Sequence, residues 1–176
     1  MVILDRIRDQ IIRPKQDKDD EGFGKKALPI RDYLDEELIS FLSVQSRDEA
    51  LETMLKILVE KKDLEHSKAF YEAVCQRESV VSTGIGMGVA IPHAKLNEYK
   101  DFFILIGIQK ENGVDWEALD GAPVQLIFLI GGPSKRQGEY LEILSKLTAV
   151  IKHDDWRQKI LQAETPQDVL KIFEDC

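Results

Sequence analysis

The sequence has little cysteine, no excess of positive charge and no long apolar run, and each shortage excludes a class of protein. Only Cys75 and Cys176 occur, and the N-terminus lacks the basic region, apolar run and cleavage site of a signal peptide, which indicates the reducing cytoplasm. The longest uncharged apolar stretches, around residues 102–108 and 124–131, are strand length, so no membrane-spanning segment is expected. With 24 basic and 32 acidic residues the net charge is -8, which disfavours binding of DNA or RNA.

Histidine is also scarce, and its positions argue against a metal centre. The three histidines and two cysteines show no spacing typical of metal ligands. His66 and His153 lie beside predicted helix starts in polar surroundings, which favours solvated side chains. His93 is therefore the histidine that needs an explanation.

With 176 residues, the chain is long enough for one domain with a sizeable core and a terminal extension. Residues 1–27 form the predicted extension: isoleucine and leucine recur at near-helical spacing over 2–12, and a charged, glycine-containing stretch follows over 13–26. This pattern predicts a short helix on a linker. The sequence leaves open whether it packs on the domain, makes a homodimer contact, touches a membrane surface or is a loosely docked tail.

The main domain, residues 28–176, mixes strand-like and helical patterns. Ser46 and Glu49 have the spacing of a capping box, so a helix is expected to begin there. Continuous apolar runs rich in β-branched residues over 102–108 and 124–130 predict strands covered on both faces. Together these patterns predict an α/β domain with helices on both sides of a sheet. Further strands are expected over 39–44 and 89–91, and further helices over 67–76, 140–151, 156–163 and from Thr165 onward.

The glycine-rich part of residues 77–95 does not match a nucleotide-binding motif. Three glycines alternate over 84–88, but the dinucleotide fingerprint needs a different third offset and a following helix, and no Gly-Lys-Ser/Thr ends the segment. What remains is a short strand over 89–91 that Pro92 stops. It delivers His93 at a strand end, where α/β sheets usually place their sites.

A histidine at this place suits phosphoryl transfer. Neutral imidazole is a competent nucleophile near pH 7, and the phosphoramidate it forms keeps a high transfer potential. Arg77, Thr83 and nearby backbone N–H groups could supply donors to three charged oxygens, and a phosphohistidine donor would require no nucleotide, Mg²⁺ or other cofactor. From spacing alone, a hydrogen-bonded structural histidine explains His93 equally well.

Three short motifs in this segment stand in the order and spacing of one known family. The segment resembles the signature of the fructose, mannitol and nitrogen-regulatory class of bacterial phosphotransferase-system (PTS) enzyme IIA domains, from about residue 28 to the C-terminus. This resemblance implies an α/β fold with a mixed, mostly parallel sheet and helices on both faces. The motifs are Arg77-Glu78, Ser82-Thr83-Gly84-Ile85-Gly86 and Ala90-Ile91-Pro92-His93-Ala94.

The resemblance also implies roles for individual residues. His93 corresponds to the phosphorylated histidine, modified at Nε2, which receives its phosphoryl group from the small histidine-containing phosphocarrier protein. Arg77 corresponds to the arginine that faces the phosphate, and Thr83 to a threonine that shapes the pocket. Glu78 belongs to the same signature and is placed among the supporting residues, although a helix-end carboxylate is its plainer interpretation.

Tyr140 is a departure from the family pattern. Members usually have a second histidine before the Leu-x-x-Leu-x-x-Leu helix, facing the phosphorylated one, whereas this chain has Tyr140 directly before Leu141. A tyrosine hydroxyl can hydrogen-bond a phosphate or the ring of His93, but it cannot become a cation near neutral pH. Packing of the tyrosine ring on the sheet is an equally good interpretation.

Three functions remain open at this stage. The first is a sugar-transport enzyme IIA that passes the phosphoryl group to an enzyme IIB. The second is a regulatory module whose phosphorylation state selects a target protein, and a third is a degenerate site that is never phosphorylated. The regulatory hypothesis is favoured because the second histidine is missing and residues 1–27 resemble the extension of separate nitrogen-regulatory members.

Overall fold

The computed structural model describes residues 29–174, so the predicted helix and linker of residues 1–27, Leu28 and the terminal Cys176 lie outside it. A short 3-10 helix, Ile30–Tyr33, opens this part of the chain. No helix within residues 29–174 is long and apolar enough to cross a membrane. The strands are β1 (Leu34–Phe41), β2 (Gly84–Gly86), β3 (Val89–Ala90), β4 (His93–Leu96), β5 (Phe103–Ile108) and β6 (Leu126–Pro133), and the helices are α1 (Arg47–Lys62), α2 (Ser67–Val80), α3 (Gln137–Ile151), α4 (Asp154–Gln162) and α5 (Pro166–Glu174).

The strands form one mixed sheet in which β6 is the central strand. The order is β1-β5-β6-β3-β2, and β4 also pairs with β6. The pairs β1–β5, β3–β6 and β4–β6 are parallel, whereas β5–β6 and β2–β3 are antiparallel. The predicted mixed, mostly parallel sheet is confirmed.

The two faces of the sheet explain why β5 and β6 are apolar throughout. Every residue of both strands is buried. In β5, Ile104 and Ile106 pack against residues of α3, α4 and α5, while Phe103 and Leu105 pack against residues of α1 and α2. Side chains of a strand alternate between faces, so a strand covered by helices on both sides must be apolar at each position.

Local sequence signals explain where two helices begin. The hydroxyl of Ser46 accepts from the N–H of Glu49 at 3.2 Å, and the Glu49 carboxylate accepts from the N–H of Gln45 at 2.7 Å. At α5, Thr165 and Asp168 make the equivalent reciprocal bonds. Each box satisfies amide groups that the first helical turn leaves unpaired.

The boundaries of β1 and α2 differ from the predicted ones. The strand predicted over 39–44 is β1, which begins at Leu34 because it pairs with β5 from Ile104 onward. The helix predicted over 67–76 continues to Val80, so Glu78 faces the core from its last turn. There the Glu78 carboxylate accepts from the N–H and the hydroxyl of Thr83.

The position of His93 is also different from the prediction. The strand predicted over 89–91 is only Val89–Ala90, and His93 begins a second strand, β4, instead of following a strand end. Both segments pair in parallel with β6, and the carbonyl of Pro92 accepts from the N–H of Ile130 at 3.0 Å. Pro92 has no N–H, so it interrupts the strand without removing the chain from the sheet.

Close packing at β6 predicts a large cost for one added methyl group. A Cβ at Gly131 would lie 2.2 Å from Cζ of Phe103, whereas a Cβ at Gly138, in the first turn of α3, would meet nothing within 4 Å. Gly131→Ala should lower the free energy of unfolding by about 1–3 kcal/mol, and Gly138→Ala should leave it equal or raise it by about 0.5–1 kcal/mol. Urea unfolding of both variants measures the difference, and equal stabilities would contradict the packing argument.

Candidate functional site

An open cavity of about 390 Å³ lies where the end of α2 and the first turn of α3 meet strand β4. Three of the residues predicted for the site, Arg77, His93 and Tyr140, line it together. Glu78 and Thr83 are buried behind it and do not line it. The full lining is Ala73, Arg77, His93, Ala94, Lys95, Ser134 and Tyr140.

A backbone hydrogen bond fixes the imidazole of His93. Its Nδ1 atom lies 2.9 Å from the carbonyl oxygen of Ile91. A carbonyl oxygen can only accept, so Nδ1 must carry the proton and donate it. The neutral ring then has its lone pair on Nε2, which makes Nε2 the nucleophilic atom.

The surroundings of His93 favour its neutral form. Burial lowers the pKa of the imidazole below its ordinary value of 6.5, and the positive charges of Arg77 and Lys95 lower it further. The hydrogen bond to the Ile91 carbonyl and the carboxylate of Glu78 act in the opposite direction. Because burial is the largest effect and the net pKa is lowered, the ring is neutral and nucleophilic at neutral pH.

The last turn of α2 holds the guanidinium of Arg77 in place. Its Nη1 donates to the carbonyl oxygen of Val81, the residue that caps the helix, at 2.8 Å. This bond satisfies a carbonyl that the helix end would leave unpaired. A guanidinium has five N–H donors, so the others can serve an anion in the cavity.

A buried network behind the cavity fixes the loop that leads to His93. The carboxylate of Glu78 accepts from the N–H of Thr83 at 2.9 Å and from its hydroxyl at 2.5 Å, and Trp116 Nε1 donates to the same hydroxyl at 3.3 Å. The carbonyl of Thr83 in turn accepts from the N–H of Ile91 at 3.0 Å. The expectation that Thr83 donates to a phosphoryl group is therefore not supported, because its hydroxyl proton is directed to Glu78.

Tyr140 lies beside His93 and also packs tightly, so its contacts agree with both interpretations made from the sequence. The ring centroids of Tyr140 and His93 are 5.6 Å apart. Tyr140 also stacks on Phe102, with centroids 6.2 Å apart and an interplanar angle of 19°. Phe102 lies against Gly132, where any Cβ would meet its ring at 2.0 Å. Burial raises the pKa of the Tyr140 phenol, so the ring stays neutral across the physiological range.

Sequence reasoning missed two polar residues of the cavity. Lys95 follows His93 by two positions in β4, so the alternation of a strand puts both side chains on one face. That spacing becomes a signal only once β4 is known to be a strand. Ser134 comes directly after β6 and had no signal in the sequence. Among residues 29–174, no group of three or more His, Cys, Asp or Glu side chains could hold a metal ion.

The sequence matches a known family over most of its length. The family described as phosphoenolpyruvate-dependent sugar phosphotransferase system, EIIA 2, matches residues 32–176. The PTS system fructose-specific EIIABC component of Bacillus subtilis is 35% identical over 134 residues, which are 75% of this chain but 21% of that protein. The nitrogen regulatory protein of Bradyrhizobium diazoefficiens is 29% identical over 147 residues, which are 83% of this chain and 95% of that protein. The chain thus spans about a fifth of the fructose component.

Solved structures share the fold. The nitrogen regulatory protein IIA-Ntr of Neisseria meningitidis matches with a TM-score of 0.75 and 31% identity, covering 82% of this chain and 98% of that one. A chain in the complex of enzyme IIAMTL and phosphorylated enzyme IIBMTL from Escherichia coli matches with a TM-score of 0.68 over 81% of this chain and 98% of that one. Its identity of 16% shows likeness of fold alone.

The tautomer and pKa of His93 give a direct prediction. Long-range ¹⁵N–¹H spectra should show a neutral ring protonated at Nδ1, with a titration midpoint below 6.5. The unfolded chain then binds the proton first, so this contribution to stability is present above pH 6.5 and is lost as the pH falls through the folded pKa. Comparing urea unfolding of wild type and His93→Gln across this range isolates the contribution. A midpoint above 6.5 or an Nε2–H tautomer would contradict the assignment.

Removing the Thr83 hydroxyl should weaken the buried network. Thr83→Val keeps the shape but leaves a Glu78 oxygen and the Trp116 N–H without that partner, so the free energy of unfolding should fall by about 1–3 kcal/mol. Thr148→Val is the matched control, because that hydroxyl bonds only to carbonyls of its own helix, at 2.8 and 3.1 Å. Urea unfolding measures the free energy of unfolding of both variants. Equal decreases would show that the Thr83 hydroxyl contributes no more to stability than the hydroxyl of Thr148.

Proposed function

The chain belongs to the phosphoenolpyruvate-dependent sugar phosphotransferase system EIIA 2 family of phosphoryl carriers, and we propose that His93 carries the phosphoryl group. The hydrogen bond from Nδ1 to the Ile91 carbonyl is the observation that supports this proposal most strongly, because it makes Nε2 the nucleophile. The guanidinium of Arg77 in the same cavity supplies positive charge where a phosphoryl group would lie. The donor we propose is the histidine-containing phosphocarrier protein.

The proposed step exchanges one N–P bond for another. The Nε2 lone pair of His93 attacks the phosphorus of the donor's phosphohistidine, the new N–P bond forms, and the donor's N–P bond breaks with its electron pair returning to the donor imidazole. The Nδ1 proton stays on His93, whose ring becomes positively charged. The carbonyl of Ile91 stabilises that charge, and Arg77 neutralises part of the charge on the phosphoryl oxygens.

We propose that the output is chiefly regulatory. A phosphoryl group adds roughly -1.5 to -2 charge to the surface around the cavity, which is enough to change which protein binds there. Two observations favour this function: Tyr140, which cannot become a cation, occupies the place of the usual second histidine, and the chain is 31% identical to the IIA-Ntr of Neisseria meningitidis.

A sugar-transport role is the alternative, in which His93 passes its phosphoryl group to a separate enzyme IIB. The identity of 35% to part of a fructose-specific EIIABC component favours it. The fold shared with a chain of the IIAMTL and phosphorylated IIBMTL complex gives such a partner a precedent. This alternative requires that the phosphoryl group moves to enzyme IIB with a neutral Tyr140, and not a second histidine, beside His93.

Mass spectrometry of the intact protein tests the carrier function. After incubation with phosphoenolpyruvate, enzyme I and the phosphocarrier protein, wild type should gain one acid-labile phosphoryl group, and His93→Ala should gain none. His153→Ala is the matched control, because His153 is exposed and lies outside the cavity, and it should behave as wild type. Failure of wild type beside an active enzyme IIA would overturn the carrier role of His93.

The same assay separates the two outputs. Phosphorylated protein is mixed with fructose-type and mannitol-type enzyme IIB, and the phosphoryl group is followed to the second protein. The regulatory function is supported if wild type transfers the phosphoryl group to enzyme IIB slowly or not at all and Tyr140→His transfers it faster. Fast transfer from wild type would favour sugar transport.

A further inference from the structure

Lys95 occupies a defined position beside His93. Its Nζ lies 4.4 Å from the centroid of the Tyr140 ring and donates to the side-chain oxygen of Gln137. It lines the same cavity as His93 and Arg77, and its charge contributes to lowering the pKa of His93. The ammonium charge therefore acts on the imidazole that is proposed to carry the phosphoryl group.

The charges around His93 leave a role for a second cation. A phosphoryl group carries roughly -1.5 to -2 charge, whereas one guanidinium supplies a single positive charge. One N–H of Arg77 already donates to the Val81 carbonyl. The buried carboxylate of Glu78 adds negative charge near His93. Among the residues that line the cavity, only Arg77 and Lys95 are positively charged.

We propose that Lys95 is a phosphoryl-binding residue that contacts the group carried on His93, and that the ring of Tyr140 is the surface that holds Lys95 in position. This inference rests on the proposed function of His93. The second positive charge at the site then comes from the strand that carries His93 itself, two residues further on.

The face of the Tyr140 ring explains how Lys95 is positioned. An ammonium group over an aromatic face is attracted by the ring electrons, and the attraction grows as water is excluded. The ring of Tyr140 is also stacked on Phe102, which keeps it in one orientation. Tyr140 is therefore a positioning residue that acts through its ring, and the phenol oxygen is dispensable.

The position of Lys95 differs from that of an ordinary surface lysine. Partial burial lowers the pKa of its ammonium group, so some of the water that a free lysine keeps has been removed. Lys110 offers the matched comparison: its Nζ lies 5.0 Å from the ring centroid of Phe41, and it does not line the cavity.

Exchange of the phosphoryl group with the phosphocarrier protein tests Lys95. Lys95→Gln should lower the equilibrium constant for phosphorylation of His93 about tenfold, the effect of losing one charge-assisted hydrogen bond. Lys95→Arg should keep most of it, and Lys110→Gln should equal wild type. If Lys95→Gln and Lys110→Gln give the same constant, Lys95 does not bind the phosphoryl group.

A titration with inorganic phosphate separates this inference from the carrier function. The imidazole resonances of His93 in the unphosphorylated protein should shift as phosphate binds, and Lys95→Gln should weaken binding about tenfold. If Lys95→Gln weakens phosphate binding but the phosphocarrier protein never phosphorylates wild type, the carrier function is overturned. The assignment of Lys95 as a phosphoryl-binding residue is then kept. Equal binding by both proteins would overturn the assignment of Lys95.

Two substitutions of Tyr140 test the role of the ring. Tyr140→Phe should keep the wild-type equilibrium constant, because it removes only the hydroxyl. Tyr140→Leu should lower the constant toward that of Lys95→Gln, and in the Lys95→Gln background it should have little further effect. A loss in Tyr140→Phe would show that the hydroxyl, and not the ring, serves the phosphoryl group.

Discussion

The pairing of two short strands with β6, on either side of Pro92, is the constraint on which the site depends. It fixes the backbone of Ile91 and of His93 at once, so the Ile91 carbonyl can hold the Nδ1 proton of the following imidazole. The tautomer of His93 is therefore set by main-chain geometry, whereas neighbouring side chains adjust the pKa of the ring. The Glu78–Thr83 network holds the same loop, because the carbonyl of Thr83 accepts from the N–H of Ile91.

The proposed function places two demands on the cavity. A good nucleophile needs a neutral imidazole, which burial and neighbouring cations favour, whereas a stable product needs positive charge near three anionic oxygens. In the proposed function Arg77 and Lys95 would meet both demands, because the same cations that lower the pKa of the free ring would attract the phosphoryl group afterwards. A second histidine would meet the second demand only while protonated, so a site with Lys95 and Tyr140 depends less on pH between 6 and 8.

The parts of the molecule that the sequence predicted are those set by short-range patterns. The capping box at Ser46 and the buried β5 and β6 follow from spacing and apolarity alone, and His93 and Arg77 followed from motifs. Strand β4 could not be predicted, because its pairing with β6 joins residues far apart in sequence. The contact of Lys95 with the Tyr140 ring also joins residues far apart in sequence, and no local signal encodes it.

The contact between Gly132 and Phe102 has a consequence for how this chain can change over evolutionary time. Phe102 fits beneath Tyr140 only because position 132 has no side chain, so a larger residue there requires a smaller one at position 102. Neither change alone keeps the aromatic stack. The two positions should therefore vary together across related sequences, so that a substitution at one is accompanied by a compensating substitution at the other.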